Sequence, residues 1–277
     1  SNENVAESDQ SANFTGFASD GFSLASSSNR YNDNSENYVS WNWKANGSGS
    51  SNTDGSINTI STSVNTTAGI SISTYTGTGS NATVGHGLGA VPATMWIKNR
   101  DTNDNWRIYS KKDPTDYMAF NWAGASTDDN TAWNDTAPTS SVFSIGTDTN
   151  TNRSGDKFIA YCFAEVEGFS SFGSYSGNGS TNGPYIYTDF RPAWIMIKRT
   201  DVADYWWGLF DNKRDPINVA DAILYANDAY AEDDSDSLDI LSNGFKLKAN
   251  SAFINNSSGS YIYMAFAEFP FKYANAR

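Results

Sequence analysis

The sequence reads as an all-β protein made of two tandem, duplicated β-sandwich units of the jelly-roll or immunoglobulin-like kind. Three observations carry that reading. One alternating stretch is written three times, as Tyr38-Val-Ser-Trp-Asn-Trp-Lys44, Phe158-Ile-Ala-Tyr-Cys-Phe-Ala-Glu165 and Tyr261-Ile-Tyr-Met-Ala-Phe-Ala-Glu268. The copies place Val39/Trp41/Trp43, Ile159/Tyr161/Phe163 and Ile262/Met264/Phe266 on one face, and a period of two marks a strand with one well-buried face. Second, Tyr75-Thr-Gly-Thr-Gly-Ser80 answers Tyr175-Ser-Gly-Asn-Gly-Ser180, and Pro92-Ala-Thr-Met-Trp-Ile-Lys98 answers Pro192-Ala-Trp-Ile-Met-Ile-Lys198, with Asp101 and Trp106 answering Asp201 and Trp206. A match of that length is a duplicated domain, too long for a solenoid repeat. Third, turn residues fall about every ten positions, the rhythm of a sandwich or jelly roll.

In order, residues 1 to about 19 are Ser/Asn/Asp-rich and expected to be loop or poorly ordered unless tethered. Residues 20–44 hold a closing hairpin, Gly21-Phe-Ser-Leu24 with Tyr38–Lys44, lacking the strands that precede it in the later copies. Such an orphan must pack on upstream sequence, a neighbouring domain or another chain, because two strands alone are marginal. Residues 45–68 are a Gly/Ser/Thr/Asn linker, flexible or an edge strand. The first sandwich spans 69–168, with strands near 69–76, 82–88, 93–100, 105–110, 116–122, 140–146 and 156–166. The second spans 169–277, with strands near 169–176, 184–190, 193–200, 205–211, 221–227, 243–249 and 260–269. Residues 219–230 alone pass for a helix, but their partner Tyr117–Trp122 does not, so both are read as strands.

Composition narrows the function. Apolar residues are 38% and charged residues 18%, and the net charge of −13 argues against phosphate-backbone binding and repels an anionic membrane. No apolar run approaches a transmembrane length and no signal peptide is expected; the opening Ser suggests processing or an internal start. The aromatic share of 14% either fills thin sandwich cores or stands out as ligand platforms, and the larger part is assigned to cores. The single Cys162 makes no internal disulfide and is read as a packed residue.

His86 lies in Val84-Gly-His-Gly-Leu-Gly89, which lacks the Lys and the strand–loop–helix setting of a phosphate loop and is read as a turn. Glu165 and Glu268 end equivalent strands and are expected to pair with Lys98 and Lys198 or cap turns; as a carboxylate pair across a cleft they would suit glycoside hydrolysis. Asp148-Thr-Asn-Thr-Asn152 has alternate oxygens like a calcium loop, yet Arg153 stands where an EF-hand loop needs Gly. No cofactor is expected, calcium being the one candidate, and the acidic runs at Asp128-Asp129 and Glu232–Asp236 read as solvated loops. The best ligand platform is aromatic: Trp122 and Trp133 around the first acidic loop, Tyr205 and Trp207 flanking Trp206, which is taken as a core position, and Tyr225 and Tyr230 near the second. Sugars stack their C–H faces on such rings while Asp and Asn accept from hydroxyls.

Val39–Lys44, His86-Gly-Leu-Gly-x-x-Pro92, Pro138–Ile145, Phe158–Gly168, Gly177-Asn-Gly179, Phe190-Arg-Pro192, Asp211-Asn-Lys-Arg214, Leu241–Leu247 and Tyr261–Glu268 together resemble the C-terminal domain of marine bacteriophage tail-fibre-like virion proteins, a domain of unknown function. The resemblance covers residues 20–277 and establishes no catalytic or binding residue. Such regions often follow a lectin-like sandwich, which would make the orphan hairpin the end of an upstream unit. The reading is a non-enzymatic virion appendage, released by lysis, that partners other virion subunits as a homo-oligomer and binds host-surface polysaccharide. A purely structural spacer or capsid-decorating role is the alternative, and a glycan-cleaving enzyme a third.

Overall fold

Apolar residues at every second position write short strands, and the computed structural model, which describes residues 3–25 and 30–268, builds nineteen of them among those residues. Before the first unit come β1 (Phe14–Phe17), β2 (Phe22–Leu24) and β3 (Ser61–Asn65). The first unit has β4 (Ile70–Thr76), β5 (Ala82–Gly85), β6 (Thr94–Asn99), β7 (Arg107–Ser110), β8 (Asp116–Ala119), β9 (Thr127–Asp128), α1 (Asn130–Trp133), β10 (Val142–Ile145), α2 (Thr149–Asn152) and β11 (Lys157–Phe163). The second has β12 (Ser170–Ser176), β13 (Tyr185–Tyr187), β14 (Pro192–Arg199), β15 (Trp207–Asp211), β16 (Leu224–Tyr225), β17 (Leu238–Leu241), β18 (Gly244–Leu247) and β19 (Ser260–Ala267). Every strand expected within the two units is present, with bounds differing by at most three residues. The segment that alone could pass for a helix carries strand β16.

Beside the two-stranded β1–β2 pair, the strands form two large antiparallel sheets and two small ones. The large sheets run β3-β4-β11-β6-β7-β8-β9 and β12-β19-β14-β15-β16; the small ones are β10-β5 and β13-β18-β17. The closing strands β11 and β19 lie inside their large sheets, each flanked on both sides. They were expected to bury one face; β19 buries both, whereas β11 fully buries the face opposite the expected one and leaves Ile159 and Tyr161 half-buried. In β11, Phe158, Ala160 and Cys162 pack with Val84, Phe143 and Ile145 of the small sheet, while Phe163 points the other way. In β19, Tyr261 and Ala265 meet Ile186, Phe245 and Leu247, while Ile262, Met264 and Phe266 point back.

The reason is a four-layer stack. Each large sheet forms a β-sandwich with its small sheet, and the two large sheets also pack on one another through Ile70, Ile108, Met118 and Phe163 on one side and Trp194, Met196, Trp207 and Phe266 on the other. Three cores result, and the middle one belongs to both units. Burying apolar surface on both faces of a strand removes the polar alternation that would mark a solvent side.

Upstream, the expected hairpin takes a different course. β2 pairs with β1, and residues 38–44 form no strand. Instead Trp41 and Trp43 dock on the middle core, with ring centroids 6.3 and 5.3 Å from Trp194, and Trp41 Nε1 donates to Asp211 Oδ2 at 3.3 Å. Two indoles bury far more apolar area this way than an isolated ribbon could. The segment 45–68 supplies β3, the edge strand beside β4, and sends Ile57 into the first core. The acidic N-terminal stretch is tethered by the Glu7–Arg100 ion pair and by Glu7 N–H donating to Arg100 O at 2.8 Å.

The matched Tyr-x-Gly-x-Gly-Ser stretches are built alike. Tyr75 Oη donates to Thr151 O at 2.6 Å and Tyr175 Oη to Ile254 O at 2.8 Å. Gly79 and Gly179 take φ of +73° and +66°, a region that suits glycine. Each loop closes on a fully buried Asn. Asn152 Oδ1 accepts from Thr78 N–H, and its Nδ2 donates to Ser80 O and Gly146 O, all at 2.7 Å. Asn255 Oδ1 accepts from Asn178 N–H, and its Nδ2 donates to Ser180 O and Ala249 O. Replacing Asn152 by Ala strands three backbone groups and is expected to cost about 3 kcal/mol. Urea unfolding checks this, and a loss under about 0.5 kcal/mol, the size of an ordinary surface change, would contradict it.

Candidate functional site

Where the two large sheets diverge beside their shared core, a cleft of about 600 Å³ opens between them. The first sheet lines it with Trp96, Tyr161 and Phe163 from β6 and β11, plus Trp106 and Phe120 from the ends of β7 and β8. The second contributes Trp194 and Met196 from β14 and Tyr225, Asp228 and Tyr230 from β16 and the loop after it, and Trp41 and Trp43 close one side. Alternation puts these residues here: Trp96 and Tyr161 sit opposite each other in the β6–β11 ladder, and their strand neighbours face the first core.

The rings brace one another. Trp96 meets Phe120 edge to face at 4.8 Å, and Trp106 stacks beside Tyr161 at 6.3 Å. Trp206 leans on Tyr225 at 5.5 Å and on Tyr230 at 5.9 Å. Tyr225 Oη donates to Asp233 Oδ2 at 2.6 Å, and burial followed by that bond pushes its hydroxyl pKa well up. Asp228 Oδ1 accepts from Tyr230 N–H at 3.2 Å. Among the described residues no Lys, Arg or His lines the cleft. Past Trp106 and Tyr161 it continues into a groove of about 410 Å³ walled by Glu7 and Arg100.

Of the six residues expected to form a platform, two line this cleft: Tyr225, half-buried, and Tyr230, 63% exposed. Trp122 is 51% exposed and lies outside it. Tyr205 is half-buried beneath the Arg199 guanidinium, 4.7 Å above its ring. Trp133 and Trp207 are core residues at 1% exposure and present no ring face to a ligand. Trp133 Nε1 donates to Asp116 O at 2.9 Å, and Trp207 Nε1 to Ala119 O at 3.0 Å.

Trp207 is buried, where an exposed ring was expected, for a specific reason. Trp96 pairs with Ile108 in the first sheet, whereas the corresponding Met196 pairs with Leu209. The second unit thus carries one extra residue before its strand, and Trp207, not Trp206, sits where Trp106 does. A slip of one residue exchanges the faces. Trp206, taken as core, is half-buried beside the cleft tyrosines. Trp41, Trp43, Trp96 and Trp194 were visible only as strand-face residues; no sequence signal showed that their faces meet across the sheets.

The other candidates have local partners. Glu165 Oε2 lies 2.6 Å from Lys111 Nζ and Glu268 Oε2 lies 3.0 Å from Arg191 Nε. The expected pairs with Lys98 and Lys198 do not form, because Lys98 sits opposite Ile159 and Lys198 opposite Ile262, six residues before each glutamate and roughly 20 Å away along the strand. Asp148 caps α2 and pairs with Arg107 at 2.6 Å. Among the described residues no group of three or more His, Cys, Asp or Glu is placed to hold a metal ion. His86 is buried in its turn, Nε2 facing Thr139 O at 3.1 Å and Nδ1 accepting from Leu88 N–H at 3.2 Å; burial lowers its pKa. The Cys162 thiol is pushed up to about 12 by burial in the first core. No helix among the described residues is long and apolar enough to cross a membrane.

Lys198 is fully buried, its Nζ donates to Arg199 O at 2.6 Å, and burial lowers its pKa from 10.5 to about 8, with Asp201 opposing the shift. Below pH 8 the folded protein must hold a buried charge; between 8 and 10.5 the unfolded chain binds the proton and the folded chain does not. Stability is therefore expected to gain from this group as pH rises through that window, by up to about 1.4 kcal/mol per pH unit. Urea unfolding at several pH values should show a shallower slope in Lys198→Met. An unchanged slope would mean that the ammonium is solvated.

No curated protein and no solved structure matches the chain. Residues 1–270 match a domain of unknown function, DUF7483, so the chain belongs to the DUF7483 family.

Proposed function

We propose that this chain is a non-enzymatic binding module of a bacteriophage virion appendage, and that the inter-sheet cleft holds host-surface glycan. The observation that carries this is the cleft itself: ring faces of Trp96, Trp106, Tyr225 and Tyr230 converge on one space with the Asp228 carboxylate at its edge. Flat apolar rings beside a hydrogen-bond acceptor match the alternating C–H and O–H surface of a sugar. The setting in a virion rests on the resemblance of the sequence motifs to tail-fibre-like proteins, and the matching strand orders support reading the two sandwiches as a duplication.

One site of this kind binds weakly, so a homo-oligomer built into the particle beside other virion subunits would supply avidity. The local pairing of Glu165 with Lys111 and of Glu268 with Arg191 favours binding over glycan cleavage, since neither carboxylate is held free for acid–base work. A specific observation also favours the spacer reading: Trp133 and Trp207 serve the cores.

Titration with oligosaccharides released from host surfaces, followed by tryptophan fluorescence, separates the two. Saturable quenching is expected with a dissociation constant on the order of 0.1–1 mM. Trp106→Ala and Tyr230→Ala should weaken binding about fivefold or more, while Trp122→Ala, outside the cleft, leaves it unchanged. A well-folded, oligomeric preparation that quenches with none of these glycans points to the spacer.

A further inference from the structure

We infer that the cleft selects a glycan bearing a positively charged amine, the chemistry of a glucosamine-type sugar with its nitrogen unacylated. This rests on the glycan-binding reading above and adds the charge of the ligand. Among the described residues the cleft is lined by one carboxylate, Asp228, and by no Lys, Arg or His; Lys98 and Arg100 lie in the adjoining groove, where Arg100 is paired with Glu7. Asp228 Oδ1 accepts from Tyr230 N–H, while Oδ2 has no partner among the described residues. A carboxylate so placed beside ring faces meets an ammonium well and repels a uronate.

Ring faces carry the negative side of the aromatic quadrupole and attract cations. The chain already uses one ring of this cleft in that way: the Arg214 guanidinium sits 5.9 Å from the Trp41 ring, held by Asp211 at 2.7 Å and Glu232 at 2.9 Å. Trp96, Trp106, Tyr225 and Tyr230 line the same cleft as Asp228. The net charge of −13 deepens the preference by drawing cations and repelling anions over longer range.

Three trisaccharides of equal ring number test this against the full-length chain by calorimetry in about 0.15 M salt. They are the glucosamine trimer, its N-acetylated form and the galacturonic acid trimer. The free amine is expected to bind on the order of tenfold more tightly than the acetylated trimer, and the uronate not at all. Asp228→Asn should remove most of that advantage, whereas Asp128→Asn, which removes the same charge from an exposed position on edge strand β9 outside the cleft, should preserve it. Unchanged near-ultraviolet dichroism and thermal midpoint show that both variants are folded. Equal affinity for the amine and acetylated trimers, or an equal effect of the two Asp→Asn variants, overturns the inference. In the first case loss of binding in Trp106→Ala would leave the glycan site standing. Binding of none of the three, nor of any host glycan, removes the glycan site and this inference together.

Discussion

Everything else in the molecule depends on the face-to-face packing of the two large sheets. Packed sheets stand about 10 Å apart, a gap that large side chains from both faces must fill. Here Trp194, Trp207, Phe163, Phe172 and Phe266 fill it, with methionines between them. A middle core shared by two sandwiches accounts for much of the aromatic content, and it turns the closing strand β19 into a strand buried on both sides. Where twist carries the sheets apart, the same kind of residue lines an open space instead of a closed one. The cleft and the core are thus one surface, filled by its partner in one part and open in another.

That origin gives the site its character. Loop-tip platforms move with their loops, whereas Trp96, Trp106, Phe120 and Tyr161 stand on strands or strand ends and brace each other at centroid distances of 4.8 to 6.3 Å. Binding surfaces held on rigid elements lose less entropy when a ligand arrives. The lack of basic side chains in the cleft among the described residues follows from the same geometry. The lysines that point to the inter-sheet face, Lys98 and Lys198, are turned back onto backbone carbonyls, at Asn99 and Arg199. The acids expected to face them are tied up by Lys111 and Arg191 instead.

The strand plan was legible because it rests on local alternation and on turn residues, which act within a few positions. Tyr75 and Tyr175, each two residues before a Gly, matched in sequence and do the same work in the structure. The site was legible only in part. Tyr225 and Tyr230 were found from aromatic and acidic composition, but Trp133 and Trp207 have similar surroundings in sequence and lie in cores. Nothing within a strand tells which neighbour will cover its second face, since that depends on how two sheets hundreds of atoms apart come together. The spacing of 100 residues held from Lys98 to Lys198 and failed one turn later, and that one residue exchanged the faces of Trp206 and Trp207. The docking of Trp41 and Trp43 was hidden for the same reason: their alternation was read as a strand, when it served to seat two rings on Trp194 and Phe266.

The bond from Trp207 Nε1 to the carbonyl of Ala119 joins residues 88 apart in sequence and on opposite sheets. It lies within a core that neither half completes alone. A protease nicking the turn between β11 and β12 would leave two fragments still clasped together. Were they pulled apart, each would present an apolar sheet face to water, large enough to invite aggregation. The repeat that looks divisible on paper is, as a material, a single body.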